Sequence, residues 1–426
     1  MTFTADSLAA WSDRLTQAAS RIATDLPGER PERQPVHTVY GGAQLFSAGT
    51  PGKLGELARS FAADWVPDPS GLGEILGLDA DLARRVHPAV MDKLTREPVE
   101  DFRIDFEDGY GHRPDDEEDG HAQSTALEVA DGMDRGTLSP FVGIRVKPLS
   151  GELHRRALRT LDLFVTTLVD KAGQLPEGFS VTLPKIQDVA QVEVMVAALA
   201  KLESSLAIEP ISVELMVETP VMVVDVDGSV GARKWVEAGN GRVRGAHFGT
   251  YDYTASLNVT AAQQRMDHPA CDFARHVLQV SLAGTGIWIS DGATNVMPVG
   301  DRETVTHAMR LHYDHIRHSL SHGYYQGWDL HPAQLVTRYA ALYAFFMEGL
   351  DAAGDRLSNF VQSAAKATLV GGVFDDAATG QGLLNYFLRA INCGAISEED
   401  ATSRTGLTID ELRTRSFPHI LEGRRG

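Results

Sequence analysis

The sequence predicts an α/β protein organised as a (β/α)8 TIM barrel, with a helix in front of it and a helical tail behind it. Three observations carry that expectation. Eight short β-runs punctuate residues 37–330, and amphipathic helical patterns separate most of them; strands alternating with helices imply a parallel sheet. Eight such units in roughly 300 residues fit a closed barrel better than a doubly wound sheet. No G-x-G-x-x-G follows a strand and no P-loop is present, so the nucleotide-binding folds lose their usual support.

Each element has its own local reason. Leu8, Trp11, Leu15 and Ile22 fall on one face of a helix. The stretch PGERPERQPV at 27–36 is rich in proline and charge and reads as a linker. His37–Tyr40 is the first β-run, followed by Gly41-Gly42 and by helical patterns carrying Leu54, Leu57, Phe61 and Trp65, then 79–94. Strands are expected over 101–106, 141–146, 179–183, 211–217, 243–248, 286–290 and 325–330. Leu158, Leu161, Phe164, Val165 and Leu168 give a helix one apolar face. Asp188 with Gln191 reads as a capping box opening the next helix. The acidic run Asp115 to Asp119 reads as a solvated loop, and the group Asp267-His268 and Cys271-Asp272-His276 as helix surface. Two further capped starts, Ser397 with Asp400 and Thr408 with Glu411, lie in the tail. The expected division is an N-terminal helix and linker (1–36), a catalytic barrel (37–350) and a C-terminal helical lid segment (351–426).

Composition narrows the partners. The chain of 426 residues carries 58 acidic against 39 basic residues, a formal net charge of -19. Nucleic acid and anionic membrane both need a basic footprint, so neither is expected. A small anionic substrate needs only a local Arg or a metal. The two cysteines, Cys271 and Cys393, are far apart and in no metal spacing, which suits a reducing cytoplasm and buried thiols. No apolar run reaches the length of a membrane span, and Asp6, Trp11, Ser12 and Asp13 interrupt any secretory h-region.

In a barrel, polar residues at the C-terminal ends of strands face the active site. Here those ends carry Glu107, Arg145, Lys185, Glu218, Asp252, Asp291 and His331. Glu218 and Asp252 follow consecutive strands and can converge on one hard cation such as Mg²⁺. A capping Glu and a turn Asp would explain a lone pair; the clustering of so many charges favours an enzyme. Asp105, Glu107 and Asp108 cannot all be free carboxylates at close range without raised pKa values. Lys185 can pair with them, and His331 before Pro332 suits a capping role better than that of a base.

The strings IDFEDG, IRVKP, LPKI, ELMVETP, GTYDYTASL, ISDGATN and GWDLHPAQL, in this order over residues 101–335, resemble the HpcH/HpaI aldolase and citrate lyase β-subunit superfamily, which includes malyl-CoA lyases and has malate synthases as distant relatives. The resemblance implies Mg²⁺, with Mn²⁺ as a substitute, on Glu218 and Asp252. It implies a 2-oxo acid chelating that metal, and Arg145 beside the substrate oxygen. On that reading Arg145, Asp105 and Glu107 are catalytic, and Arg145, Glu218 and Lys185 bind substrate. The expected activity is a carbon–carbon lyase or aldolase working through an enolate on a 2-oxo acid or hydroxyacyl substrate. A malate-synthase-like condensing enzyme or thioesterase, and a non-catalytic metabolite-binding barrel, stay open beside it. The resemblance also implies a homo-oligomer, trimer or hexamer.

Departures mark a divergent branch. Lys147 stands where the family usually has Asn, the acidic DDEED replaces basic residues, and HTVYGG lacks the expected Arg. Coenzyme A use is left open. The tail string GGVFDDAATGQ resembles, loosely, the family's C-terminal lid, with Gly371-Gly372 as hinge and Asp375 as the general acid–base carried to a neighbouring subunit. An Asp pair capping the helix near Gly380 is the competing reading.

Overall fold

The computed structural model describes residues 2–30, 32–362, 368–370, 373–375 and 377–425. Eight strands, β1 (His37–Gly42), β2 (Asp101–Asp105), β3 (Phe141–Arg145), β4 (Ser180–Leu183), β5 (Ser212–Val217), β6 (Val243–Phe248), β7 (Trp288–Ser290) and β8 (Gly327–Asp329), alternate with helices. They pair in parallel in the order β7-β6-β5-β4-β3-β2-β1-β8. A parallel bridge between Ala293 and Trp328 links the two ends of that sheet, with the Trp328 N–H donating to the Gly292 carbonyl at 3.0 Å. The expected (β/α)8 barrel is therefore present.

The two last strands are shorter than predicted. Gly286 is in the left-handed region at φ 75°, and its carbonyl accepts from Arg30 Nε at 2.8 Å, so it belongs to the turn that precedes β7. Apolar helix faces cover the outside of the barrel as expected. The acidic run is a correction. Residues 115–119 are not a loop but the first turn of the helix Asp115–Arg135, where four acids face the positive end of the helix dipole. Glu118 there is buried and accepts from Lys147 Nζ at 2.7 Å and from Thr160 Oγ1 at 2.6 Å. The predicted surface group is corrected in part, since His276 is exposed on a helix as expected but the other members of the group are not. Cys271 is fully buried, His268 caps the helix Pro269–Leu282, and Asp272 is half-buried against Arg275 one turn on and against His318 of the helix Arg302–Ser321.

The barrel interior is unusual in its charge. Branched apolar side chains normally fill this space. Here Arg103 of β2 crosses it to Glu214 of β5 at 2.5 Å, and Glu214 also accepts from Arg244 of β6 at 2.8 Å. His247 lies 3.1 Å from the same carboxylate. Each buried charge has an opposite charge at contact distance, which is the condition for tolerating it.

Beyond the barrel the N-terminal helix, Ala5–Asp25, has no buried residue, and its predicted apolar stripe of Leu8, Trp11, Leu15 and Ile22 is exposed. The tail contains the helices Leu350–Gln362, Ala377–Asn392, Glu398–Thr405, Ile409–Arg413 and Phe417–Arg425, and an antiparallel pair of strands, β9 (Thr368–Val370) and β10 (Val373–Asp375). Both predicted tail capping boxes are formed. The described tail docks near the starts of the strands. Arg389 donates to Gln34, before β1, at 2.7 Å, and its guanidinium lies 4.8 Å from the ring of Tyr325, before β8. Gly371, Gly372 and Asp376 lie outside the described residues, as does the side chain of Asp375.

Candidate active site

Parallel register sets the first contact. Asp105, the last residue of β2, pairs with Arg145, the last of β3. Their side chains leave the same barrel level side by side. Arg145 grips Asp105 in a fork, Nε to Oδ1 at 2.7 Å and Nη2 to Oδ2 at 2.5 Å. Asp105 also turns the loop after its strand, accepting from the backbone N–H of Glu107 at 3.0 Å and of Gly109 at 2.7 Å. Every lone pair of Asp105 is thereby used. Its carboxylate positions; it has nothing left with which to take a proton from a substrate. The third Arg145 nitrogen, Nη1, points to Glu107 Oε2 at 3.1 Å, and the guanidinium lies 4.6 Å from the Tyr40 ring centre. Tyr40, in the second half of β1, was not singled out from the sequence. A β-run closing on a glycine pair was the available signal, but nothing local shows that a ring there will lie under an arginine.

Lys185 links the two halves of the site. It follows Pro184 and sits in the left-handed region at φ 51°, a rare conformation for a residue with a side chain. That turn aims its backbone N–H at Glu218 Oε1, 2.6 Å away. Its ammonium meets Glu107 Oε1, Asp108 Oδ2 at 3.1 Å and Asp252 Oδ2 at 3.4 Å. Burial alone would lower the Lys185 pKa, but Glu218 and Glu107 outweigh it and raise it. A Schiff-base lysine needs the opposite shift, so Lys185 acts here as a fixed positive charge.

The carboxylates around it divide by environment. Burial raises the Glu107 pKa, with Asp108 adding to the rise and Arg145 opposing it. Asp108 is lowered, because Arg145 and Lys185 overcome its burial. Glu218 is the extreme case. Burial, with Asp252 adding to it and Lys185 opposing it, pushes its pKa up to about 8. It is seated over Gly249, where an added Cβ would fall 2.6 Å from the Glu218 Cβ. Gly249 has an ordinary φ of -102°, so close approach and not backbone conformation requires glycine there. Asp252 is in the first turn of the helix Thr250–Ser256, with its side chain 43% exposed.

This donor set fits a hard divalent cation. It offers carboxylate oxygens only. Glu218 is a buried acid whose ionised form lacks enough positive charge nearby, and Glu107 Oε2 is a buried oxygen that Arg145 Nη1 meets at 3.1 Å without a well-formed hydrogen bond. Mg²⁺ takes such a few-carboxylate site with open positions, and Mn²⁺ accepts the same ligands.

Three strand-end residues are turned elsewhere. Asp291 was expected at the mouth; it is fully buried and pairs outward with Arg275 at 3.0 Å and Ser319 Oγ at 2.5 Å. His331 caps the helix Pro332–Glu348 through Nδ1, which accepts from the Ala333 N–H at 3.2 Å. Lys147 is held by Glu118 and by the Phe106 carbonyl at 2.7 Å. The departure from Asn at that position thus serves the helix Asp115–Arg135.

A (β/α)8 barrel with a carboxylate-lined mouth around one buried Arg–Asp fork is the class that fold and site define. The chain belongs to the family described as "Domain of unknown function (DUF6986)", whose model matches residues 15–420. No curated protein matches it. Among solved structures it is similar to a citrate lyase from Burkholderia xenovorans LB400, with 20% identity over 89% of this chain and 100% of that one, at a TM-score of 0.59. A fainter likeness is to the malate synthase of Haloferax volcanii, with 13% identity over 92% of this chain and 99% of that one, at a TM-score of 0.48. At 20% identity the likeness to the citrate lyase shows the fold alone.

Proposed function

We propose that this protein is a Mg²⁺-dependent carbon–carbon lyase or aldolase that acts through an enolate on a 2-oxo acid or hydroxyacyl substrate. The observation that carries the reading is Glu218, a carboxylate buried beside Asp252 and poorly compensated by the charges around it. Carbon–carbon cleavage next to a carbonyl develops negative charge on the carbonyl oxygen, and preorganised positive charge stabilises it. A cation held by Glu218 and Asp252 would polarise the oxo group and orient the substrate carboxylate. Arg145, fixed by Asp105 and Tyr40, would turn Nη1 from Glu107 Oε2 to the enolate oxygen. Lys185 keeps Glu107 and Asp108 together and adds positive charge for an anionic substrate. Asp375, brought by a neighbouring subunit of a trimer or hexamer, is the general acid–base in this reading. The motif strings at the strand ends support it, as a divergent branch of the aldolase and citrate lyase group.

The test is incubation of the full chain with Mg²⁺ and a panel of 2-oxo acids, with and without acyl-CoA, read by product mass. Cleavage or aldol products are expected. Release of free coenzyme A with a joined acid would identify a condensing enzyme or thioesterase. Binding without turnover would identify a metabolite-binding barrel. Glu218→Gln and Asp252→Asn should each abolish Mg²⁺ binding by calorimetry with the fold intact; undiminished affinity in either would remove that residue from the metal site.

A further inference from the structure

Two helices on the outer wall, Pro269–Leu282 and Arg302–Ser321, bring together a carboxylate and two imidazoles that the barrel-mouth site does not use. Asp272 Oδ1 on the first lies 2.8 Å from His318 Nε2 on the second. His322, four residues after His318, lies against it with ring centres 4.3 Å apart and the planes tilted by 41°. One ligand atom from each of Asp272, His318 and His322 falls within 4.8 Å of the others. The spacing is one helical turn, which puts both rings on the same face.

The surroundings fix the state of each imidazole: a carboxylate only accepts, so His318 Nε2 carries its proton and donates it to Asp272 Oδ1. His322 Nδ1 is 2.8 Å from the His318 carbonyl. A carbonyl only accepts, so Nδ1 carries the proton and Nε2 keeps its lone pair, the arrangement found in metal-ligating histidines. Arg275 is the competing cation. Its Nη1 is committed to Asp291 at 3.0 Å, while Nη2 contacts Asp272 and lies 3.2 Å from His318 Nε2. Positive charge is therefore already drawn to the point where the three groups meet. All three are half-buried, which leaves a coordination position open to water.

We propose that Asp272, His318 and His322 form a binding site for a borderline divalent cation of the zinc class, separate from the carboxylates of the barrel mouth. Two imidazoles and one carboxylate select Zn²⁺ over Mg²⁺, because imidazole suits the borderline metals and Mg²⁺ prefers oxygen. On binding, His318 releases to solvent the Nε2 proton it shares with Asp272, Arg275 Nη2 gives way while Nη1 stays on Asp291, and the two helices are cross-linked. The inference stands apart from the proposed lyase function.

The experiment uses the full chain, stripped with a chelator and then saturated with Mg²⁺, titrated with Zn²⁺ in a calorimeter. One equivalent of Zn²⁺ is expected to bind without competition from Mg²⁺. His318→Gln, His322→Gln and Asp272→Asn should each weaken it by at least about tenfold, with far-UV circular dichroism unchanged. Co²⁺ in place of Zn²⁺ should give d–d bands that His318→Gln lacks. Absence of Zn²⁺ binding in the parent protein, affinity unchanged in all three variants, or loss of the Zn²⁺ event in Glu218→Gln but not in His318→Gln would each overturn the site.

Discussion

At the scale of single residues, the pH response of Glu218 is the sharpest expectation. Its ordinary pKa is 4.5 and the fold raises it to about 8, so the folded chain binds its proton more tightly than the unfolded chain does. The stability this adds is fully present below about pH 4.5 and is lost as pH rises through about 8. Metal-free protein should therefore melt at progressively lower temperature over that window, and Glu218→Gln should remove that part of the slope. Mg²⁺ should restore the loss at the alkaline end, since a ligand of the folded state adds stability by mass action. Melting curves of the two proteins that stay parallel across the window would refute this account. Arg145 gives a second expectation. Lysine keeps the charge but cannot reproduce the fork on Asp105 together with a third nitrogen, Nη1, directed at Glu107. Arg145→Lys should lower kcat on the order of 10²-fold, as loss of an oxyanion donor does, in steady-state kinetics on whichever substrate the panel identifies. A normal kcat would reduce Arg145 to a rim ion pair.

At the scale of elements, what could be read in advance was what is local. Strand β6 was found at its predicted bounds, and Asp188 with Gln191 formed the predicted capping box, because hydrophobic alternation and caps are written within a few residues. The charges at the strand ends were legible for the same reason. Their directions were not. Asp291 and Glu218 look alike in sequence, each an acid closing a β-run, yet one turns outward to Arg275 and the other lines the mouth. That choice depends on partners that are distant in sequence or set by the tertiary turn at Lys185. The acidic run 115–119 was misread because its stabilising partners, Lys147, Arg156 and Arg159, come from later in the chain. One of them supplies a test. Lys147→Asn would restore the residue usual in the resembling family but strand the buried Glu118; it should destabilise the fold by roughly 3 kcal/mol, measured by urea unfolding. A loss within error would mean that Thr160 and Arg156 suffice for Glu118. The lid belongs to this scale too. Asp375 ends strand β10, and Asp375→Ala is expected to reduce turnover sharply while leaving Mg²⁺ binding unchanged. Full activity in that variant, with loss in Asp376→Ala, would shift the register by one.

At the scale of the whole molecule, the tail is more than an appendage. Leu384, Phe387, Ala390 and Cys393 are buried, and the ring of Tyr386 packs 5.4 Å from that of Phe346 on the helix Pro332–Glu348. Cutting the chain near residue 355 would expose side chains worth roughly 1.5–3 kcal/mol each, so the point substitution at Asp375 is the cleaner test of the lid. A described tail anchored near the strand starts also bears on assembly. If a lid residue must reach a mouth at the strand ends, a neighbouring copy is the natural donor, and the protein should run as a trimer or hexamer by light scattering at assay concentrations. A catalytically active monomer would remove the subunit-crossing role of Asp375.

Gly249 has a consequence for how this chain can vary over generations. Its place against Glu218 is set by the absence of one carbon atom, since a Cβ would lie 2.6 Å from the Glu218 Cβ and 2.8 Å from Oε2. A codon for glycine reaches only side-chain-bearing residues or a stop by a single nonsynonymous base change, and every such residue brings that carbon. No first step away from Gly249 is therefore silent for the carboxylate beside it. Lineages that keep the Glu218 site in use should carry glycine here, and a descendant in which the position has drifted is one in which the site has already been released from its task.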